Sequence, residues 1–147
     1  MSLHYYRHVP SNLAMKLSNI LHRGLIKASA GRQGWDVLNM PVLKLTTTGR
    51  KTGIARTVML TSPHQIGSNL VIVASKGGGD QHPEWFLNLE SNPHVHVETR
   101  NSTQEMTARI ITPDEREALW EIITAKYGNY ANYQRKTKRL IPLVVLE

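Results

Sequence analysis

Between residues 10 and 28 apolar side chains recur at helical spacing, with Leu13, Leu17, Ile20, Leu21 and Leu25 in one stripe bordered by Lys16, Arg23 and Lys27. This predicts an amphipathic helix that Ser11 can cap. Gly31 and Gly34 break the pattern, and after Pro41 the period becomes that of strands. Residues 42–48, 55–61 and 70–75 are rich in β-branched side chains and are separated by the polar turns 49–53 and 67–69, which predicts an antiparallel meander. A glycine run, Lys76-Gly77-Gly78-Gly79-Asp80, follows. Pro83 then opens a short helix carrying Trp85, Phe86 and Leu89, which Asn92-Pro93 ends.

Residues 95–99 and 105–111 read as two more strands. Thr112, Pro113 and Glu115 form a helix start, with Thr112 as cap, Pro113 in the first position and Glu115 completing a capping box. Ala118, Leu119, Ile122 and Ile123 are expected to form the buried face of that helix. Gly128 interrupts it, a second piece carries Tyr130 and Tyr133, and residues 143–146 read as a closing strand. About six mostly antiparallel strands in hairpins, with three to four peripheral helices, predict an α+β barrel rather than a doubly wound sheet. The chain divides into an N-terminal amphipathic helix and linker, residues 1–38, and a barrel domain, residues 39–147.

Composition narrows the chemistry. The 147 residues include no cysteine, which excludes disulfides, thiolate nucleophiles and cysteine-held metals, so redox chemistry would need a bound cofactor. No apolar stretch approaches the roughly 20 residues of a membrane-spanning helix. Residues 1–10 are polar and lack the apolar region of a signal peptide, so a cytoplasmic location is expected. The net charge of +7 is uneven: residues 1–79 hold ten Lys and Arg against the single acid Asp36, and residues 80–147 hold eight against ten. A basic N-terminal half attracts an anion, whether nucleic acid, a membrane surface or a phosphorylated small molecule.

Three constellations could meet such a ligand. Thr46 to Gly53, followed by Arg56, combines hydroxyls, terminal glycines and the cations Arg50, Lys51 and Arg56; it lacks P-loop spacing, and a solvated basic hairpin turn is its alternative. Ser75 to Asp80 places three glycines between an apolar strand and a helix, where backbone N–H groups could cradle an anion or merely form a flexible connection. Tyr127, Tyr130 and Tyr133, followed by Arg135, Lys136, Lys138 and Arg139, could line a ring-binding cleft, with the cations against phosphate or membrane; core packing competes. His94 and His96 share a strand face but have no third ligand at a recognisable spacing, so no metal site is expected.

Together these segments resemble the deazaflavin-dependent nitroreductase family, also called F420H2-dependent quinone reductases. The resemblance runs through residues 41–53 (PVLKLTTTGRKTG), 71–78 (VIVASKGG), 83–93 (PEWFLNLESNP), 112–120 (TPDEREALW), 127–133 and 141–145 (IPLVV). It implies a split β-barrel like that of FMN-binding oxidases. It further implies coenzyme F420 as reduced hydride donor and a quinone, enone or nitro compound as the small-molecule acceptor. Cofactor-binding residues implied by the resemblance are Thr48, Gly49, Arg50, Lys51, Arg56, Met59, Leu60, Thr61, Ser75, Lys76, Gly77, Gly78 and Trp85. Ser75, Tyr127, Tyr130 and Tyr133 are implied on the catalytic, substrate-facing side. Where some relatives carry an aromatic residue near the end of the second strand, this chain has Thr61 and Ser62, which implies a wider or more polar pocket. An FMN-dependent enzyme on the same barrel and a basic nucleic-acid-binding module are the alternatives, the latter lacking an aromatic platform or recognition helix. The stripe within residues 11–28 suits either packing on the barrel or weak peripheral association with the inner face of the membrane.

Overall fold

The computed structural model describes residues 36, 37 and 39–147. The expected N-terminal helix, and with it the choice between barrel and membrane, lies outside the described residues. Among the described residues there are eight strands: β1 (Asp36–Val37), β2 (Met40–Thr48), β3 (Ala55–Thr61), β4 (His64–Ile66), β5 (Asn69–Val73), β6 (His94–Glu98), β7 (Thr103–Ile110) and β8 (Leu143–Leu146). Three α-helices accompany them, α1 (Glu84–Ser91), α2 (Pro113–Lys126) and α3 (Gly128–Arg135). None is long and apolar enough to cross a membrane.

Every strand pairing is antiparallel. The sheet runs β1-β2-β6-β7-β8-β5-β4, with β3 paired to β2. β7 bridges its two halves, pairing with β6 through residues 103–107 and with β8 through 108–110. Among the described residues β3 and β4 do not pair although they are consecutive, so this split β-barrel is open between them. Ser62 staples that opening: its N–H donates to the Pro41 carbonyl at 2.9 Å, and its hydroxyl lies 2.8 Å from the Val71 carbonyl.

Alternation along the strands sorts the apolar side chains into two cores. Leu43, Leu45, Ile72, Val95, Val97, Val144 and Leu146 fill the barrel, where α1 adds Trp85, Phe86 and Leu89. The intervening residues Val71, Val73, Leu143 and Val145 face outward, where Ile123 of α2 and Tyr130 of α3 cover them together with Met40. Fully burying each Val, Leu or Ile contributes about 1.5–3 kcal/mol, so the layer under α2 and α3 helps to hold those helices on the sheet.

Several expectations need correction. β1 and β4 were not anticipated, and β1 brings Asp36 and Val37 into the sheet ahead of the expected boundary at residue 39. β5 ends at Val73, not Ser75. On α2 the inward stripe is buried Arg116 and Ile123 with partly buried Leu119 and Trp120, whereas Ala118 and Ile122 are exposed. The helix is rotated because Arg116 goes inward: its Nε donates to the Ile141 carbonyl at 2.8 Å and its guanidinium stacks 4.4 Å from the Trp120 ring centre. Thr112 caps the Glu115 N–H at 3.4 Å, while the Glu115 carboxylate pairs with Arg109 instead of closing a capping box.

Candidate functional site

The residues expected at the site fall into two groups joined by the glycine loop. The first surrounds the β2–β3 turn. Gly49 donates to the Ile54 carbonyl at 2.9 Å, and a side chain at Gly49 would meet that oxygen and Thr52 Oγ1 at 3.0 Å, so the tight turn needs glycine there. The Arg50 N–H and guanidinium both donate to Asn88 Oδ1, at 3.1 and 3.0 Å, and the guanidinium also pairs with Glu84 at 2.7 Å. Buried Asn88 in turn donates to Thr47 Oγ1 at 3.2 Å. Arg50, expected on a phosphate, is therefore largely committed to α1.

Lys51 and Arg56 are exposed beside it. The Arg50 hydrogen bond holds the Glu84 carboxyl below its ordinary range, and the charges of Arg50, Lys51 and Lys76 add to the effect. Lys51 on the turn and Lys76 on the glycine loop therefore converge on the start of α1.

The glycine loop is an ordered turn, not a flexible connection. Lys76, Gly77 and Gly78 have φ of +47°, +61° and +84°, three successive left-handed residues. The Gly78 and Gly79 N–H groups donate to the Ser75 and Lys76 carbonyls at 2.9 and 3.0 Å. Those two amides are thus spent within the loop and do not cradle an anion. Gly78 is instead needed for packing: a β-carbon there would stand 2.8 Å from the Tyr133 carbonyl of α3. Arg139, expected in a basic run facing phosphate or membrane, turns inward beneath this loop and donates to its carbonyls.

The phenols form the second group. Tyr130 is buried in the outer core, its hydroxyl 3.6 Å from Met40 Sδ and 3.4 Å from Thr61 Oγ1. Burial pushes its phenol above the ordinary tyrosine range. Tyr133 is half-buried and edge-on to Tyr130, ring centres 6.1 Å apart, with no hydrogen bond to its hydroxyl among the described residues. Tyr127 reaches the Asn39 carbonyl at 3.4 Å.

The expected run Met59, Leu60, Thr61 does not act together, because neighbours in a strand point to opposite faces. Met59 packs with Val42 and Thr61 meets Tyr130, while Leu60 packs against the barrel interior. Trp85 is likewise an interior residue, edge-on to Phe86. Ser62 is fully buried, its hydroxyl bonded to the His64 and Val71 carbonyls. Thr48 is half-buried at the end of β2, and Ser75 is half-buried at the mouth of the loop without a side-chain cap bond.

Sequence reasoning missed His82, Asn88 and the inward role of Arg139. Asn88 had a signal, since it stands one helical turn after Glu84 and between the apolar residues Leu87 and Leu89. His96 Nδ1 lies 2.6 Å from Glu105, and no group of three metal-ligating side chains occurs among the described residues.

Comparison with known proteins places this geometry in a lineage. A family described as F420H(2)-dependent quinone reductase matches residues 21–147, beginning earlier than the resemblance at residue 41. An F420H(2)-dependent quinone reductase of Mycobacterium tuberculosis is 38% identical over 130 residues, covering 86% of this chain and 87% of that protein. A solved structure described as an F420-H2 dependent reductase (FDR-A) is 40% identical, with a TM-score of 0.64, and covers 73% of this chain and 94% of its own. Another, described as a domain-swapped dimer, is 35% identical with a TM-score of 0.65 over 85% of this chain and 98% of its own.

Proposed function

Since the chain belongs to the F420H(2)-dependent quinone reductase family, we propose that it is an F420H2-dependent reductase of quinones and other electron-poor acceptors whose cofactor tail lies at the basic turn. When bound, the reduced deazaflavin supplies the hydride. The observation that carries the placement is the convergence of Lys51 and Lys76, from separate elements, on the start of α1 beside exposed Arg56. A phosphate and an acidic oligoglutamate tail suit these cations better than a neutral ligand would. Arg50 shapes the turn through Asn88 and Glu84, leaving Lys51, Arg56 and Lys76 to meet the anion.

On the other side, the phenols face the acceptor. A phenol with an ordinary or raised pKa stays protonated at neutral pH, so it can donate a hydrogen bond to an oxygen that gains negative charge. Tyr133, whose hydroxyl has no hydrogen-bond partner among the described residues, is the best placed donor, and Tyr130 positions its ring. The Ser75 hydroxyl, where the glycine loop begins, is a second donor. Thr61 and Tyr130 make the adjoining wall polar, which favours acceptors carrying oxygen, quinones first, over larger apolar rings.

Anaerobic oxidation of F420H2, followed by its absorbance, tests this with a panel of quinone, enone and nitro acceptors. Quinones are expected to give the highest kcat/KM. No turnover with any of the three classes would end the reading.

A further inference from the structure

An L-residue with positive φ is unfavourable, and it persists only where its surroundings leave the backbone no alternative. Lys76 is such a residue, followed by two glycines in the same conformation. Packing of Gly78 against the Tyr133 carbonyl holds one side of this turn. Arg139 holds the others. Its Nε donates to the Gly79 carbonyl at 2.8 Å, its Nη2 to the Ser75 carbonyl at 2.9 Å and its Nη1 to the Ala74 carbonyl at 3.2 Å. The guanidinium thereby grips the chain immediately before and immediately after the left-handed residues. A planar fork with five donors can do this; an ammonium has three donors on one atom and cannot span the same acceptors.

We infer that Arg139 is a positioning residue that holds the Ser75–Gly79 turn in the shape that presents Lys76 and Ser75 to the cofactor, an assignment that rests on the F420 reading above. Its place is itself fixed by α3. Gln134 Nε2 donates to the Arg139 carbonyl at 2.7 Å, and Gln134 Oε1 accepts from the Ile141 N–H at 2.9 Å and from Arg116 at 3.1 Å. The helix bearing Tyr130 and Tyr133 therefore holds, through Gln134, the arginine that shapes the basic loop, and so links the two halves of the site.

Arg139 also has a neutral partner on a third element. Its Nη1 lies 3.1 Å from His82 Nδ1, so that nitrogen must be an acceptor and the ring proton sits on Nε2. Burial first, and then the Arg139 charge, hold His82 below its ordinary range, with Glu90 pulling the other way. Asp80 is the acid whose charge Arg139 feels. With its donors turned to three carbonyls and an imidazole, Arg139 is engaged inside the fold and is not presented to an outside anion as Lys51 is.

The test uses the full chain and its Arg139→Gln and Arg139→Lys variants. Without cofactor, amide hydrogen exchange reads the turn directly. Arg139→Gln is expected to speed exchange at Gly78 and Gly79 by about tenfold or more, leaving β2 and β6 amides within about twofold, and Arg139→Lys is expected to fall between. By NMR titration, His82 is expected to gain its proton at higher pH in the Gln variant. With cofactor, the Gln variant is expected to bind F420 about tenfold more weakly, with a smaller fall in kcat at saturating F420H2, since the arginine acts through Ser75 and the loop and does not touch the reacting atoms. Parental exchange at Gly78 and Gly79 in a folded Gln variant, or parental F420 affinity, overturns the assignment. Should the Gln variant fail to fold, the Lys variant carries the same comparison, and parental values in it are equally fatal. If the parent protein binds no F420, the functional reading falls, and the exchange data still decide whether Arg139 holds the turn.

Discussion

Thr61 Oγ1 stands 3.4 Å from the Tyr130 hydroxyl, which also points to Met40 Sδ, so the most deeply placed phenol is occupied by the protein itself. Among the described residues Tyr133 has no such commitment. The two tyrosines are therefore expected to answer differently to loss of the hydroxyl. Tyr133→Phe should lower kcat by about tenfold to a hundredfold, as loss of a positioned proton or hydrogen-bond donor does, with an unchanged melting temperature. Tyr130→Phe should cost about 0.5–1.5 kcal/mol of stability, the net worth of one hydrogen bond, and leave kcat within about threefold. Steady-state kinetics and thermal denaturation on both variants separate the roles.

Asn88 ties the basic turn to α1. It is 4% exposed and serves Arg50 twice and Thr47 once. Asn88→Ala removes all three bonds and strands the buried Thr47 hydroxyl, so a loss of about 2–4 kcal/mol is expected in chemical denaturation. F420 affinity should fall with it, because the turn that carries Lys51 loses its anchor.

Gly78 joins a positive φ to a close approach, so alanine there meets both obstacles: an unfavourable backbone angle and a β-carbon 2.8 Å from the Tyr133 carbonyl. Gly78→Ala is expected to destabilise the fold by about 2–4 kcal/mol, the sum of a strained backbone and an overpacked contact. Gly53→Ala, with a similar φ of +72° but nothing within 4 Å, should cost about 1 kcal/mol from the angle alone. Equal losses at the two positions would show that loop and helix do not pack as described.

Stability should fall on the acid side in two stages. His82 titrates below its ordinary 6.5 because of burial and Arg139. As pH drops past 6.5 the unfolded chain takes up a proton that the folded one refuses, and stability is lost until the folded value is reached. Glu84 titrates below its ordinary 4.5, chiefly through the Arg50 hydrogen bond, so its contribution is present above 4.5 and disappears as pH falls through the folded value. His82→Gln keeps an acceptor for Arg139 and removes the proton. Its melting temperature should be flatter than the parent's from pH 7 down to about 5, while the lower stage remains.

Much of the fold was legible from periodicity. β2, β3 and β7 are long enough for alternation and hairpin turns to declare them, whereas β1 and β4, of two and three residues, are too short to carry a period. The two-faced packing of β5 and β8 reads only as an apolar run, which does not say which residues point under the helices. The candidate site was legible as types of residue, but not as partners. Arg50 and Lys51 are adjacent cations in sequence, and only the fold commits the first to Glu84 and Asn88 and leaves the second exposed. Arg139 looked like Arg135 and Lys138; the chain reversal after α3 alone turns its guanidinium inward. Leu60 was a different failure, because strand alternation already placed it opposite Met59 and Thr61.

The central claim is that the basic turn holds the acidic tail of F420, and its most direct test is a binding titration of the parent and of the Lys51→Ala, Arg56→Ala double variant with F420 and with FMN. The parent is expected to bind F420 well ahead of FMN. In the double variant the F420 dissociation constant should rise by about a hundredfold, two charge-assisted contacts being lost, while that for FMN changes little. A folded double variant with parental F420 affinity, or a parent that prefers FMN, would contradict the account.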